Sequence, residues 1–406
     1  MRKLFIISIL LPYCLVLGSS FVYLNSARIA YRDRDYERAK TNCLKGIEID
    51  PNNFEFHVIL GGSEIGLGNW QAGSDALINA FTIDSVKTMK WISEKGGGEQ
   101  YFYQAFYFSA RELFDREKYV EVLKNLDYAE LLDPADIRTY ILRGATLYKL
   151  GKWEETNKEY KKALNIDPEN PDVSFLIGRS LFESKNFEGS LTYFSDAEKH
   201  YSIPYNRMSR LIFQNLSEID KELAKKIIIL WIEHKLEELD QLIKKDLGFE
   251  QGLDVQKINI EQYCKATDDL GRNYYYIGMA YYNLQKDSLA LENLLKSLEL
   301  KPNDLDILFY TGELLIRFKK YERAIEHLER LTQLKEDDVH AWFYLGVCYT
   351  QLKKYKKAID IYENKVLVLD PENIEALTNL AYVLGEIGNK DKALEILLKI
   401  EKLEKK

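Results

Sequence analysis

Apolar residues recur along most of the chain at the spacing of amphipathic helices, and the same pattern returns every 34 residues. The clearest unit, residues 140–170, reads YILRGATLYKLGKWEETNKEYKKALNIDPEN. Its pattern predicts two helices joined by a turn at Gly151, and Pro168 ends the second helix because proline cannot continue the backbone hydrogen bonds. Gly144 and Ala163 are small enough to let the two helices approach closely.

Glycine returns at the same interval further along the chain, at Gly278, Gly312 and Gly346. A small residue in the first helix, with small or aromatic residues at fixed offsets in the second, places the pattern nine times. These residues resemble the tetratricopeptide repeat. The resemblance implies an all-α fold, an α-solenoid of about nine helix pairs stacked into a superhelix, because one helix pair cannot bury its apolar face alone.

The repeats predict two arrays, five helix pairs at residues 20–204 and four at residues 271–406. Residues 205–270 lack the repeat pattern but keep leucine and isoleucine at helical spacing. We interpret them as a helical spacer or a degenerate repeat pair. Within the first array, the stretch EKGGGEQ predicts a flexible glycine-rich loop at residues 88–102, between the second and third repeats.

The N-terminal run of residues 4–24 carries no charge and follows Arg2 and Lys3. It is long enough to cross a bilayer as an anchor, which takes about 20 residues. Alternatively, residues 1–20 form a signal peptide, and cleavage after its small residues leaves a mature chain that starts at Phe21. An uncleaved segment would attach the protein to a membrane.

The basic residues that follow this run leave the orientation of an anchor open. Arg28, Arg32 and Arg34 come soon after it, and the positive-inside tendency would then hold the repeats on the cytoplasmic face of the membrane. The sequence predicts a cell-envelope protein, exported or membrane-anchored, with the cytoplasmic face as the alternative. The end of the run can also open the first repeat as a buried helix, because Ala27 sets the repeat phase there.

Composition and motifs exclude several classes of function. The net charge of −8 is spread over stretches of mixed sign, so the concentrated positive surface that nucleic acid requires is not predicted. The four cysteines and five histidines show no spacing typical of a metal site or a disulfide framework. No phosphate-binding, dinucleotide-binding or nucleophile motif occurs, so we predict a non-enzymatic protein without a cofactor.

The resemblance implies that the first helix of each pair lines a concave groove where partner peptides lie. Aromatic side chains supply large contact area, and arginines recognise carboxylates, so these residue types predict a partner with apolar anchors and some acidic groups. Arg138, Arg272 and Arg317 lie near the groove positions. Carried over repeat by repeat, the groove residues are Tyr107, Arg111, Phe114, Tyr148, Phe175, Arg179, Phe182, Tyr275, Tyr282, Phe309, Phe343 and Tyr382.

The last repeat ends without a further polar helix behind it. Solenoids normally need a solvated end, so Leu397, Leu398, Ile400 and Leu403 predict an apolar edge for a partner or a second copy, unless the lysines and glutamates around them solvate it. The prediction for the whole chain is a scaffold for protein-protein interactions at the cell envelope. The alternatives are a cytoplasm-facing, membrane-anchored regulatory adaptor or co-chaperone, and an enzyme.

Overall fold

A computed structural model describes residues 20–95 and 97–405, and every regular element among them is a helix. Most of the helices form antiparallel pairs, so the predicted all-α solenoid of helix pairs is confirmed. The chain divides into two units, Met1–Pro168 and Glu169–Lys406. We call them unit 1 and unit 2.

In its described residues, 20–95 and 97–168, unit 1 contains four helix pairs and one additional helix. Its helices are α1 (residues 20–32), α2 (Tyr36–Ile49), α3 (Phe54–Gly66), α4 (Trp70–Ile83), α5 (Ser85–Lys95), α6 (Glu99–Asp115), α7 (Tyr119–Leu132), α8 (Ile137–Lys149) and α9 (Trp153–Ile166).

Close helix packing within a pair depends on the small residues of the repeat. In the fourth pair, a Cβ atom on Gly144 would lie only 2.3 Å from Cε1 of Tyr160 on the facing helix. The turn between these two helices uses Gly151, whose φ of 71° lies in the left-handed region that glycine adopts without strain. The two glycines therefore have the structural roles that the repeat pattern predicts.

Six of the first helices begin at polar residues that cap them. Each of these side chains accepts a hydrogen bond from a backbone N–H of the first turn, which would otherwise lack a partner. This explains why Asp or Asn recurs just before the first helix of so many repeats. The capping residues are Asn53, Asp136, Asn170, Asp304, Asp338 and Asn373.

The segment predicted as a flexible loop at residues 88–102 differs from that expectation. Helix α5 occupies most of its first half and α6 starts at Glu99, so the turn is confined to a few residues. Gly97 and Gly98 have φ values of 101° and 95° in that turn. Trp91 and Ile92 are buried, and this packing makes α5 a fixed part of unit 1.

Over residues 169–405, the part of unit 2 that the structure describes, there are five helix pairs of the repeat type and a shorter pair inserted among them. Its helices are α10 (Pro171–Glu183), α11 (Phe187–Ile212), α12 (Lys221–Ile232), α13 (Leu236–Lys245), α14 (Leu253–Asn283), α15 (Asp287–Leu300), α16 (Leu305–Arg317), α17 (Tyr321–Leu334), α18 (Val339–Gln351), α19 (Tyr355–Ile361, continued by Tyr362–Val366 and Leu367–Leu369), α20 (Ile374–Glu386) and α21 (Lys390–Glu404).

The boundary between the units differs from the predicted one at residue 204. The fifth helix pair belongs to unit 2, because α11 and α14 extend well beyond the repeat length and pack against each other. Between them, α12 and α13 form the short helical pair within the region interpreted as a spacer or degenerate repeat. Asn273 on α14 donates a hydrogen bond of 2.9 Å to the carbonyl oxygen of Phe194 on α11.

The repeat formed by α18 and α19 is one residue longer than the 34-residue pattern, since Pro371 follows Gly346 by 25 residues whereas Pro168 follows Gly144 by 24. Residues Tyr362–Val366 form a π-helical turn within the second helix of this pair. Such a turn takes up a single inserted residue without breaking the helix. Tyr362 is fully buried there and packs against Gly346, so the repeat keeps its usual internal contact.

Most of the predicted signal peptide or anchor, residues 1–19, lies outside the described residues. The remainder of the apolar run opens α1, where Leu24 and Ala27 are buried. Within residues 20–95 and 97–405, the structure contains no helix with the length and apolar character needed to cross a membrane.

Candidate functional site

The predicted groove residues of unit 1 lie on the first helices of its third and fourth pairs, and two of them pack within their own repeats. Phe114 contacts Tyr119 at 5.8 Å between ring centroids, and Tyr148 contacts Trp153 at 5.1 Å. Each pair joins the end of a first helix to the start of the second. Arg111 is exposed on α6.

Tyr107 is part of a stacked arrangement in unit 1. Its ring is parallel to that of Tyr103 at 5.7 Å, and the guanidinium of Arg138 lies 4.9 Å from the Tyr107 ring centroid. Arg138 also forms two hydrogen bonds with the carboxylate of Asp136, which caps α8. The arginine therefore already has both a carboxylate and an aromatic partner within the chain.

In unit 2, Phe175 is a core residue and does not line a surface. Only 4% of it is exposed, and its ring packs against Phe194 at 5.7 Å and Tyr276 at 5.4 Å. The prediction of Phe175 as a partner contact is wrong, because the extended helix α14 covers the position. Phe182 is half-buried and contacts Phe187 and Tyr276.

Other predicted aromatic residues of unit 2, with two of their chain neighbours, form a connected series across the first helices α14, α16 and α18. Tyr282 contacts Tyr310 at 5.4 Å, Phe309 contacts Tyr344 at 5.7 Å, and neighbouring rings on the same helix are about as close. These rings pack on the core with one side and remain partly exposed. We call the ring series this connected set together with Tyr275, whose ring contacts Tyr276 on the same helix; its members are Tyr275, Tyr282, Phe309, Tyr310, Phe343 and Tyr344.

The arginines predicted to recognise an acidic partner in unit 2 are engaged within the chain. Arg272 lies 2.8 Å from Asp269 and 4.7 Å from the Phe175 ring centroid. Arg317 lies 2.7 Å from Glu313 and also donates a hydrogen bond of 2.8 Å to the hydroxyl of Tyr282. Their positive charges are largely compensated, so they do not predict an acidic partner here.

Carboxylates flank the ring series. Burial is the larger cause that raises the pKa of both Tyr275 and Tyr310, and the nearby Asp306 carboxylate raises it further. Burial followed by the carboxylates of Glu313 and Glu375 likewise raises the pKa of Tyr344. Asp306 and Glu375 are exposed, which gives this aromatic surface a negative margin.

Two further predicted groove residues lie outside the ring series. Tyr382 on α20 is 54% exposed, so it is the most accessible aromatic residue of the predicted set. Arg179 is half-buried on α10. Sequence reasoning missed Tyr310 and Tyr344, although each follows a predicted residue directly and so could have been found by scanning the neighbouring position.

The C-terminal edge of unit 2 matches the predicted apolar edge only in part. Leu397 and Leu398 are 50% and 49% exposed, as expected for an uncovered edge. Ile400 is buried and Leu403 is half-buried, because they face the preceding helix of the pair. Leu394, which the sequence argument did not include, is 58% exposed beside them.

A second candidate site lies in unit 1, at residues that the groove prediction did not contain. Helices α1, α3 and α5, with the two turns beside them, enclose a concave space of about 880 Å³. We call it the basic pocket. It is lined by Arg28, Tyr31, Arg32, Arg34, Tyr36, Glu55, Trp91, Lys95, Gly97 and Tyr101.

One carboxylate organises the floor of the basic pocket. Glu55 accepts hydrogen bonds from Arg28 at 2.7 Å and from the indole nitrogen of Trp91 at 3.0 Å. Burial alone would raise the pKa of Glu55, but the hydrogen bonds from Arg28 and Trp91 outweigh it and hold this pKa below its usual value. Glu55 is therefore ionised and links α1, α3 and α5.

Other site chemistries find no support among the described residues. No group of three or more histidine, cysteine, aspartate or glutamate side chains in residues 20–95 and 97–405 is arranged to hold a metal ion. Cys264 and Cys348 are buried, and burial raises the pKa of each thiol to about 12. Those thiols are protonated at neutral pH and are poor nucleophiles.

Comparison with solved structures finds partial similarity at low sequence identity. PilF of Pseudomonas aeruginosa is 15% identical over 68% of this chain and 94% of that chain, with a TM-score of 0.44. YrrB, described as a TPR protein with an unusual peptide-binding site, is 16% identical over 62% of this chain and 95% of that chain, with a TM-score of 0.41. MamA of Desulfovibrio magneticus RS-1 is 24% identical over 37% of this chain and 89% of that chain, with a TM-score of 0.32.

Among curated proteins, Hsp70-Hsp90 organizing protein 1 of Glycine max is 30% identical over 89 residues. The match covers 22% of this chain and spans only 16% of that relative's length.

Family models match four stretches of the chain. Models of the tetratricopeptide repeat match residues 22–53, 144–185 and 363–395. The model of the anaphase-promoting complex, cyclosome, subunit 3 matches residues 280–365. The chain therefore contains tetratricopeptide repeats, in agreement with the resemblance of its 34-residue pattern.

Proposed function

We propose that this protein is a non-enzymatic scaffold that binds partner proteins, and that the ring series of unit 2 is a principal contact surface. Tetratricopeptide repeats typically act as interaction scaffolds without chemistry of their own. The observation that carries the proposal is the connected set of half-buried tyrosine and phenylalanine rings on successive first helices. Such rings bury large area at low entropic cost, which is typical of residues that dominate binding energy.

The charge around the ring series indicates the chemistry of the partner. Asp306 and Glu375 are exposed at its margin, whereas Arg317 is already shared among Glu313, Asp287 and Tyr282. A partner segment with lysine or arginine between apolar residues would complement this surface through salt bridges and cation-π contacts. We therefore propose a basic, aromatic-containing peptide segment as the ligand of unit 2.

The test uses a fluorescein-labelled peptide amide, Lys-Phe-Lys-Lys-Phe-Lys, and the full chain, with binding followed by fluorescence anisotropy. Tyr282→Ala and Phe343→Ala should each weaken binding about tenfold, the loss expected for truncating a well-packed aromatic contact. Tyr193→Ala is the matched control, since Tyr193 is half-buried on the second helix α11. Equal affinity in all three variants, with helix content unchanged, would remove the ring series as the contact surface.

We also propose that the scaffold acts at the cell envelope, either exported or anchored by its N-terminal segment. The support is the uncharged run of residues 4–24 behind two basic residues. Intact mass, membrane fractionation and protease digestion of cells with only the outer barrier permeabilised test this. A chain that starts near Phe21, or repeats cut by protease, would support export; an intact N-terminus with protected repeats would favour the cytoplasmic face.

A second candidate function is a cytoplasm-facing regulatory adaptor or co-chaperone on the membrane. The observation in its favour is the 30% identity over 89 residues with Hsp70-Hsp90 organizing protein 1. A second copy of the chain is a further proposed partner, through Leu394, Leu397 and Leu398 at the C-terminal edge. Protease protection of the repeats distinguishes the cytoplasm-facing adaptor from an exported protein. Sedimentation of a Leu397→Lys variant tests self-association through the C-terminal edge.

A further inference from the structure

More cationic than carboxylate side chains line the basic pocket of unit 1. Four of its lining residues are cationic and one is a carboxylate, Glu55. That carboxylate is bound by Arg28 and Trp91, so it compensates Arg28 most strongly and Lys95 only at longer range. Arg34 and Lys95 are exposed at the opening of the pocket, whereas Arg32 beside them pairs with Asp33 at 3.2 Å.

Aromatic rings form the other part of the lining. Tyr31 lies 6.0 Å from Tyr36 and 5.8 Å from Trp91 between ring centroids. Tyr101 closes the same side and donates a hydrogen bond of 2.9 Å to the carbonyl oxygen of Gly62. The pocket thus presents apolar ring surface inside and cationic side chains at its opening.

The additional helix α5 builds the pocket. Trp91 is 7% exposed and joins α5 to Glu55 on α3, and Lys95 ends the same helix. The enclosed space of about 880 Å³ lies in the range of ligand-binding clefts, roughly 300 to 1,000 Å³. It is large enough for two or three side chains of a peptide.

From this combination we infer that the basic pocket binds an acidic peptide segment, with carboxylates at Arg34 and Lys95 and an apolar side chain against Tyr31 and Trp91. Arginine pairs with carboxylates in a fixed two-point geometry, which favours carboxylate groups in particular. The carboxylates come from acidic side chains or from a chain terminus. The site is separate from the ring series, and its occupant has the opposite charge.

A concave site favours a peptide over an anionic membrane surface. The tyrosine and tryptophan rings line the interior of a cavity, where a flat bilayer does not reach them, whereas an extended peptide can insert a side chain. An apolar side chain of the peptide can also be buried against these rings, whereas a lipid headgroup offers no apolar surface there.

Three fluorescein-labelled probes test the inference on the full chain by fluorescence anisotropy. They are Glu-Phe-Glu-Asp-Phe-Glu as its amide, Gln-Phe-Gln-Asn-Phe-Gln with a free terminal carboxylate, and the lysine peptide amide used for unit 2. Arg34→Gln with Lys95→Gln removes two exposed cations of the pocket. Arg210→Gln with Lys45→Gln is the matched control, since both residues are exposed and do not line the pocket.

We expect the first or the second probe to bind the full chain and to lose affinity about tenfold in the Arg34→Gln, Lys95→Gln variant, as for two electrostatic contacts of this kind. The control variant should stay within about twofold of the unchanged protein. The probe that binds identifies the source of the carboxylate, and Tyr282→Ala in unit 2 should leave its affinity unchanged.

Several outcomes would overturn the inference. Failure of both acidic probes to bind is one, and equal affinity in the pocket and control variants is another. Vesicles of phosphatidylserine and phosphatidylcholine serve as the competing ligand: binding to vesicles alone, lost in the pocket variant, would assign the arginines to a membrane surface.

Discussion

Units 1 and 2 share the same helix-pair packing but place their charges differently. In unit 1, exposed arginine and lysine side chains stand at the opening of a pocket, and Arg143 is buried in the fourth pair. In unit 2, exposed carboxylates flank tyrosine and phenylalanine rings, and arginines such as Arg317 lie at the surface in ion pairs. The comparison teaches that the repeat fixes the helices, whereas the exposed charges differ between the units at a few positions on first helices, on α5 and in turns.

The largest expected difference between the two units comes from removing the buried arginine of unit 1. Arg143 is 7% exposed and lies 3.1 Å from Glu159, with Glu130, Asp127 and the carbonyl oxygen of Leu126 also around it. Arg143→Ala should lower the free energy of unfolding of unit 1 by about 3 kcal/mol, because the buried Glu159 then keeps Lys162 as its cationic partner and loses its buried one.

The effect can be assigned to one unit by methionine oxidation. The extent of peroxide oxidation is measured at each methionine over a series of urea concentrations. Oxidation of Met89 reports the unfolding of unit 1, and oxidation of Met279 reports that of unit 2. Arg317→Ala is the matched change in unit 2, and its 43% exposed side chain predicts a loss of about 1 kcal/mol or less. Equal losses of unfolding free energy in the two units would show that burial does not increase the contribution of the Arg143 network to stability.

A smaller effect is expected from adding a methyl group to helical glycines of the two units. Gly144→Ala places Cβ against the ring of Tyr160, so we expect unit 1 to lose about 1 to 3 kcal/mol through overpacking. Gly385→Ala in unit 2 meets no atom within 4 Å and should stabilise that unit by about 0.5 to 1 kcal/mol. Urea unfolding followed at Met89 and Met279 measures both; destabilisation of unit 2 by Gly385→Ala would contradict the packing argument.

The 34-residue pattern was sufficient to predict the fold, because close helix packing needs small residues such as Gly144 at fixed positions. It could not predict that α5 is a helix, since the glycines beside it dominate the local signal while Trp91 packs over a long sequence distance against Glu55. For the candidate sites, a groove position tells which helix face a residue occupies. It does not tell that Phe175 is covered by α14, or that Arg317 is already paired.

Reversing the charge at the margin of the ring series sharpens the comparison of ligand preferences. Asp306→Lys with Glu375→Lys should weaken binding of the lysine peptide about tenfold, because two attractive charges become repulsive. The same variant should leave the acidic probe at the basic pocket unaffected. Asp254→Lys with Glu250→Lys is the control, as both are exposed residues of unit 2 outside the ring series. An equal loss in the control would reduce the effect to net charge.

The smallest expected effect is a difference in how the two units respond to mild acid. Burial lowers the pKa of His327 in unit 2 below its ordinary value, and nearby Glu326, Arg323 and Lys225 modify that shift. The unfolded chain therefore takes up this proton more readily, so unit 2 should lose stability as the pH falls through and below about 6.5. In unit 1, ionised Glu55 contributes to stability because its pKa is lowered in the folded chain. That contribution stays constant until the pH falls to the ordinary carboxyl pKa near 4.3 and below it.

We expect the urea midpoint at Met279 to fall between pH 7.5 and 5.5 while the midpoint at Met89 stays nearly constant. His327→Gln should remove the pH dependence of unit 2, because no proton is then taken up on unfolding at that position. His340→Gln, a change at an exposed histidine of the same unit, should retain it. If Met89 and Met279 shift together, or if His327→Gln behaves as His340→Gln does, then the burial of His327 does not set the acid response, and the two units differ in ligand charge alone.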